Sequence, residues 1–230
     1  MKFKSLIANN KFTLVVSLPV NSIDYAKAAL KGGAQAIKVH CNVAHLASGN
    51  TFGSFSENKE FLQQLIELAG STPVGLVPGG DQAYITEKER VELEKMGLSF
   101  FSTYVEHLPL FMMDSSVLSK MLAIHYDYSD MELKAISRSK VDIVEASIMQ
   151  GDDYGKPMVY KDILRYRYIA RRVCQPVLVP TQKAIKPDEV HHLYEAGCKA
   201  VMIGANVMGR DAKSCLKATS AFRDAIDRFC

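Results

Sequence analysis

Charged and hydrogen-bonding side chains occur in this chain where buried strands should be apolar. Strands buried on both faces read as near-continuous Val, Ile and Leu runs. The segment Ala36-Ile37-Lys38-Val39-His40 departs from that rule. Strand alternation puts Ala36, Lys38 and His40 on one face and Ile37 and Val39 on the other. The segment Ile143–Ser147 repeats the departure, with Ile143, Glu145 and Ser147 sharing a face. In Leu122–Tyr126, Leu122 and Ile124 are expected outward, with His125 and the following Asp127 inward. Ser17 ends the first apolar run, and Glu106-His107 follows the fourth. An ionised group in such a place must be paired, or its pKa shifts. A lysine there can form a Schiff base or hold a carbonyl or phosphate as a point charge. A carboxylate opposite it can take a proton from a carbon beside a carbonyl. Lys38 and Glu145 are therefore the expected catalytic pair, with His125, His40 and Asp127 assisting. A purely structural Lys38–Glu145 ion pair is the competing reading.

Eight apolar runs would carry these residues: Thr13–Ser17, Ala36–His40, Val74–Val77, Phe100–Tyr104, Leu122–Tyr126, Ile143–Ser147, Val177–Val179 and Ala200–Ile203. Helices are expected near Ile23–Lys31, Glu57–Ala69, Glu87–Lys95, Ser116–Ser119, Asp130–Arg138, Tyr160–Arg172, Pro187–Glu195 and Ala212–Arg228. Several end in glycine, which supplies the left-handed backbone after a helix. Strand–helix alternation means βαβ units and a parallel sheet. Eight units favour one closed (β/α)8 barrel, an α/β fold in a single domain over residues 1–230, above an open sheet. The stretches Cys41–Ser56 and Met149–Val159 are long loops at the rim where barrels build sites. The run Phe111-Met112-Met113 reads as buried core or, alternatively, as a homodimer contact.

At 230 residues and net charge +3, the chain is long enough for one large core and too weakly basic to argue for nucleic acid. No window approaches the ~20 apolar residues that span a bilayer, and the first residues lack a signal-peptide core. A cytoplasmic protein is expected. Five scattered cysteines, with no Cys-x-x-Cys pair, read as reduced thiols. His191 and His192 diverge by about 100° on a helix and read as surface residues, poorly placed to share a metal.

From Pro176 to Arg210 a strand, a polar loop, a helix and a second strand lead into Gly204-Ala205-Asn206. This stretch resembles the last two units of the ribulose-phosphate-binding barrel superfamily. The resemblance implies a phosphate held by backbone N–H groups after the last two strands. Here it implies Thr181, Gln182, Lys183, Gly204 and Asn206, with Ser17, as substrate-binding residues. Thr181-Gln182-Lys183 stands where members often carry a glycine pair, and Gly79-Gly80-Asp81 is a further backbone contact to consider. Val15-Val16-Ser17-Leu18-Pro19 is similar to the start of N-acetylmannosamine-6-phosphate 2-epimerases. Their strand-three lysine is absent at Val77-Pro78-Gly79, and Gln182 stands where their carboxylate would be. His40, His125, Asp127 and Glu145 could ligate a divalent metal. Cys41 and Asn42 follow His40, however, so the His-x-Asp pattern of metal-binding epimerases is missing. No metal or cofactor is expected. The resemblance implies an isomerase, epimerase or lyase acting on a small phosphorylated, carbohydrate-like substrate by proton transfer beside a carbonyl. The alternative is a non-catalytic barrel that binds a metabolite or protein partner.

Overall fold

The computed structural model describes residues 2–230. Eight parallel strands close into a barrel, and β1 (Thr13–Ser17) pairs with both β2 (Ala36–His40) and β10 (Ala200–Ile203). Between them lie β5 (Val74–Val77), β6 (Phe100–Tyr104), β7 (Ser119–Ile124), β8 (Ile143–Ala146) and β9 (Val177–Pro180). The two remaining strands, β3 (Val43–His45) and β4 (Asn50–Phe52), form an antiparallel hairpin on the loop after β2. That hairpin occupies the first of the two long rim loops.

The outer helices are α2 (Ile23–Lys31), α3 (Phe55–Ala69), α4 (Glu87–Met96), α6 (Asp130–Ser137), α7 (Tyr160–Arg172), α8 (Val190–Glu195) and α10 (Ala212–Asp227). A 3-10 turn at Pro187–Glu189 leads into α8. Short helices α5 (Leu110–Met113) and α9 (Ala205–Met208) follow β6 and β10. Capping explains several starts: Ser54 and Thr86 each accept from the backbone three residues on and receive a glutamate in return. No described helix is long and apolar enough to cross a membrane.

Two expectations fail at the same place. The fourth helix does not form at Ser116–Ser119, and the next strand begins at Ser119 instead of Leu122. Ser115 Oγ accepts the N–H groups of Val117 and Leu118, which turns the chain early. Polar Ser119 and Lys120 then enter the sheet, where Asp142 accepts the Lys120 N–H. Of the Phe111-Met112-Met113 run, Met112 is buried, as the core reading requires.

Period-two alternation divides the core in two. Leu14, Val16, Ile37, Val39, Leu76 and Val144 face the helices. Val15, Ala36, Phe100, Met121, Ile143, Leu178 and Ala200 fill the barrel interior. Below them α1 (Phe3–Asn9) closes the N-terminal end of the barrel with Phe3, Leu6 and Ile7. The Phe3 ring stacks on Phe100, with centroids 3.8 Å apart. Gly75 makes room for Phe100, because a Cβ there would lie 2.2 Å from that ring. The plug leaves only the opposite end open. Truncating Phe3 to alanine removes a fully buried ring, so Phe3→Ala should cost about 3–5 kcal/mol in urea unfolding.

Candidate active site

The open end holds a cavity of about 430 Å³ lined by the ends of the strands and the rim loops. Lys38 and Glu145 lie in it, both about 95% buried. They come from β2 and β8, and alternation turns both inward. Lys38 Nζ donates to both carboxylate oxygens of Glu145, each at 3.2 Å. Ser102 Oγ donates to Glu145 Oε2 at 2.6 Å. The carboxylate is thus fixed by an ammonium and a hydroxyl, as a buried charge requires. Lys38 is the sole lysine or arginine among the lining residues, which include the carboxylates Asp81, Glu106 and Glu145.

Around the pair stand further hydroxyls, of which the sequence reading passed over Ser102 and Tyr104. Tyr104 OH and Ser147 Oγ lie 2.8 Å apart, and burial pushes the Tyr104 phenol up. Ser102 and Tyr104 alternate with Phe100 on β6. The same period-two rule that found Lys38 would have found them. Ser17 lines the cavity from the end of β1.

His40 ends β2, and the hairpin covers it. Its ring stacks on Phe52 (4.7 Å between centroids) and tilts against His45 (4.4 Å). Asn42, at φ 55°, turns the chain into the hairpin, and its side-chain amide donates to Pro78 O. Burial first, then the neighbouring His45 and Lys38, holds His40 well below the usual imidazole range. Burial and Lys38 lower His45 to about 4, and its Nδ1 lies 2.8 Å from Ser48 Oγ. The hairpin tip reaches towards the second long loop, with the Leu46 side chain beside Gly151.

The structure divides the other expected residues. His125 lines the rim, but β7 ends at Ile124, so Asp127 lies beyond the strand and is largely exposed. The two pair with each other at 3.0 Å, and Asp127 does not face inward. The quartet His40, His125, Asp127 and Glu145 is not gathered into a metal cluster. Among the described residues, the one group of three potential ligands within reach of one another is His191, His192 and Glu195 on α8. Those two histidine rings lie 3.8 Å apart rather than diverging, and His192 is exposed.

Thr181, Gln182 and Gly204 line the cavity, whereas Lys183 and Asn206 do not. The Gly204 N–H donates to Thr181 Oγ1 at 3.0 Å. The Asn206 amide donates to the carbonyls of Thr181 and Gln182. Gln182 accepts from the Met149 N–H and donates to Tyr154 OH at 2.6 Å. Lys183 turns away, with Nζ 3.5 Å from Asp153. These residues clasp the loops after β8, β9 and β10 together.

No family model matches the chain, and no curated protein sequence matches it. Solved structures do match. A tryptophan synthase alpha-subunit variant from Pyrococcus furiosus is 16% identical with a TM-score of 0.70, covering 94% of this chain and 98% of that one. A thiamine phosphate pyrophosphorylase from the same organism is 17% identical with a TM-score of 0.64, covering 95% and 97%. A phosphoribosyl anthranilate isomerase from Thermus thermophilus is 13% identical with a TM-score of 0.64, covering 95% and 100%. The likeness is one of fold.

Two stability measurements follow from this geometry. Glu145→Leu alone strands the Lys38 ammonium and should cost about 3 kcal/mol in urea unfolding. Lys38→Met/Glu145→Leu should recover most of that loss. The lowered histidines set a pH dependence. Above the ordinary imidazole pKa of 6.5, neither folded nor unfolded chain binds the proton. Between 6.5 and about 4 the unfolded chain binds it at His45 and the folded one does not, so stability falls as pH falls. The slope approaches about 1.4 kcal/mol per pH unit for each such histidine. His45→Phe should flatten the pH 6 to pH 5 decline in melting temperature.

Proposed function

We propose that this barrel is an isomerase, epimerase or lyase that moves a proton beside the carbonyl of a small phosphorylated, carbohydrate-like substrate. One observation carries the reading: the Lys38–Glu145 pair stands in an open cavity instead of being sealed in the barrel. A pair serving packing alone has no need of that access. In the proposed reaction the substrate carbonyl oxygen approaches Lys38. Glu145 takes the proton from the adjacent carbon, and the ammonium stabilises the enolate oxygen as charge builds on it. Ser102 keeps the carboxylate aimed. Reprotonation at the former carbonyl carbon, with the hydroxyl proton of the adjacent carbon passing to the old carbonyl oxygen, gives an isomer, and reprotonation of the same carbon from the other face gives an epimer. Loss of a leaving group gives a lyase product.

The phosphate is the less supported part. A dianion entering the cavity meets one ammonium and three carboxylates, so N–H and O–H dipoles must hold its charge. The Gly204 N–H is already given to Thr181 Oγ1, so the Thr181 hydroxyl and the Ala205 N–H are the assigned donors of that wall, with Gln182 and Asn206 positioning those loops. Lys183, held on Asp153, is left out of that assignment. Two similar structures, the thiamine phosphate pyrophosphorylase and the phosphoribosyl anthranilate isomerase, carry phosphate compounds in their names. One observation favours a binding barrel without chemistry: the Gly204 N–H already serves Thr181 Oγ1.

Proton exchange separates the two readings. A panel of aldose and ketose phosphates in D2O, followed by NMR, should show deuterium entering beside the carbonyl of one member. Glu145→Gln should slow that exchange about 10²–10⁴-fold. Undiminished exchange in Lys38→Ala/Glu145→Gln would remove both residues from the chemistry. Ligand-induced stabilisation without exchange would favour the binding barrel.

A further inference from the structure

His40 is 1% exposed and lines the cavity, yet neither ring nitrogen has a hydrogen-bond partner in the protein. Native proteins pair nearly all buried polar groups, so a buried imidazole with both nitrogens unpartnered calls for a partner from outside. The surroundings show what is missing. Phe52 and His45, both from the hairpin, pack against the ring at 4.7 and 4.4 Å between centroids. Ring packing is thus supplied by the protein, and hydrogen bonding to the ring is not.

The chemistry of the partner follows. Burial, with Lys38 nearby, favours the neutral ring. A neutral imidazole presents one N–H donor and one bare nitrogen acceptor. A fully ionised phosphate or carboxylate accepts but does not donate, and a neutral ring gives its charge no counterion. A hydroxyl group does both. His45, which lines the cavity, suits the C–H side of a hydroxylated carbon chain, while Phe52 backs the His40 ring from behind. Ser48, 2.8 Å from His45 Nδ1, steadies that part of the hairpin.

We propose that His40, backed by Phe52 and His45 of the hairpin, is the subsite that recognises the hydroxylated carbon chain of a polyol-type substrate, apart from the wall that takes the phosphate. The proposal rests on the carbohydrate-like substrate of the preceding reading and specifies which residue reads its hydroxyls.

The test uses His40→Phe, which keeps a packed ring and removes both nitrogens, and three probes. Ribitol 5-phosphate carries hydroxyls and phosphate, ribitol carries hydroxyls alone, and pentyl phosphate carries phosphate alone. Without ligand, His40→Phe should melt at or above the wild-type temperature, because it deletes unpaired buried groups. Both ribitol compounds should move the His40 side-chain ¹⁵N resonances of the wild type, and pentyl phosphate should not. Ribitol 5-phosphate should bind the variant about tenfold more weakly, as loss of paired hydrogen bonds implies. A variant that melts several degrees lower without ligand would show the nitrogens already paired, and would overturn the proposal. So would a His40 signal indifferent to both ribitol compounds. If ribitol and ribitol 5-phosphate act equally, the subsite stands and the phosphate reading falls. If pentyl phosphate binds while neither polyol reaches His40, the phosphate reading stands and the subsite falls.

Discussion

A lysine inside a barrel has few ways to remain charged. Little of Lys38 meets solvent, and the layer of the barrel directly beneath it is hydrocarbon. Lys38 is accommodated because Glu145 arrives from the far side of the barrel at the same height, and Ser102 takes up a further lone pair of the carboxylate. That requirement sets the register: β2 and β8 must be placed so that their inward residues meet. The apolar layer of Phe100, Met121, Ile143 and Leu178 fills the rest of the interior. The pair and the packing are therefore one constraint, with charge satisfied above and volume filled below.

The rim divides along similar lines. On one side Gln182, Asn206 and Thr181 join three loops through side-chain hydrogen bonds. On the other side the hairpin lies over β2 with histidine and phenylalanine rings in contact. Directional bonds set the first wall, and ring packing contributes to the second. His40 lies at the flank where rings pack, and the hairpin that supplies them is itself tied down by Asn42 to Pro78 O and Asn50 to Pro19 O.

Much of this was legible from residue order. Five of the eight barrel strands have the expected ends, because apolar outer faces mark them plainly, and the inward placement of Lys38, His40 and Glu145 follows from the same alternation. What escaped has physical causes. Serine and tyrosine on β6 look ordinary in a strand, so Ser102 and Tyr104 attracted no notice. The start of β7 is polar, and its hydrogen bonds to Asp142 cannot be read from local composition. Lys183 sits one residue beyond a lining residue, and only the path of the chain turns it to Asp153. Helix α1 has no side-chain cap, and its fit comes from docking Phe3, Leu6 and Ile7 under the barrel.

That plug has a kinetic side. Helix α1 leaves the ribosome before the barrel strands, yet its backbone anchors are the hydroxyls of Ser99 and Ser119, which lie 96 and 115 residues further along. A seven-residue helix is marginal alone in water. Its apolar face must wait, uncovered, until half the barrel has been made. Strand β1 waits longer still for β10. Assembly is thus dominated by contacts between distant parts of the chain, the kind that form slowly and leave sticky surface showing meanwhile. The segment that seals the finished barrel is, during synthesis, among those that need shelter.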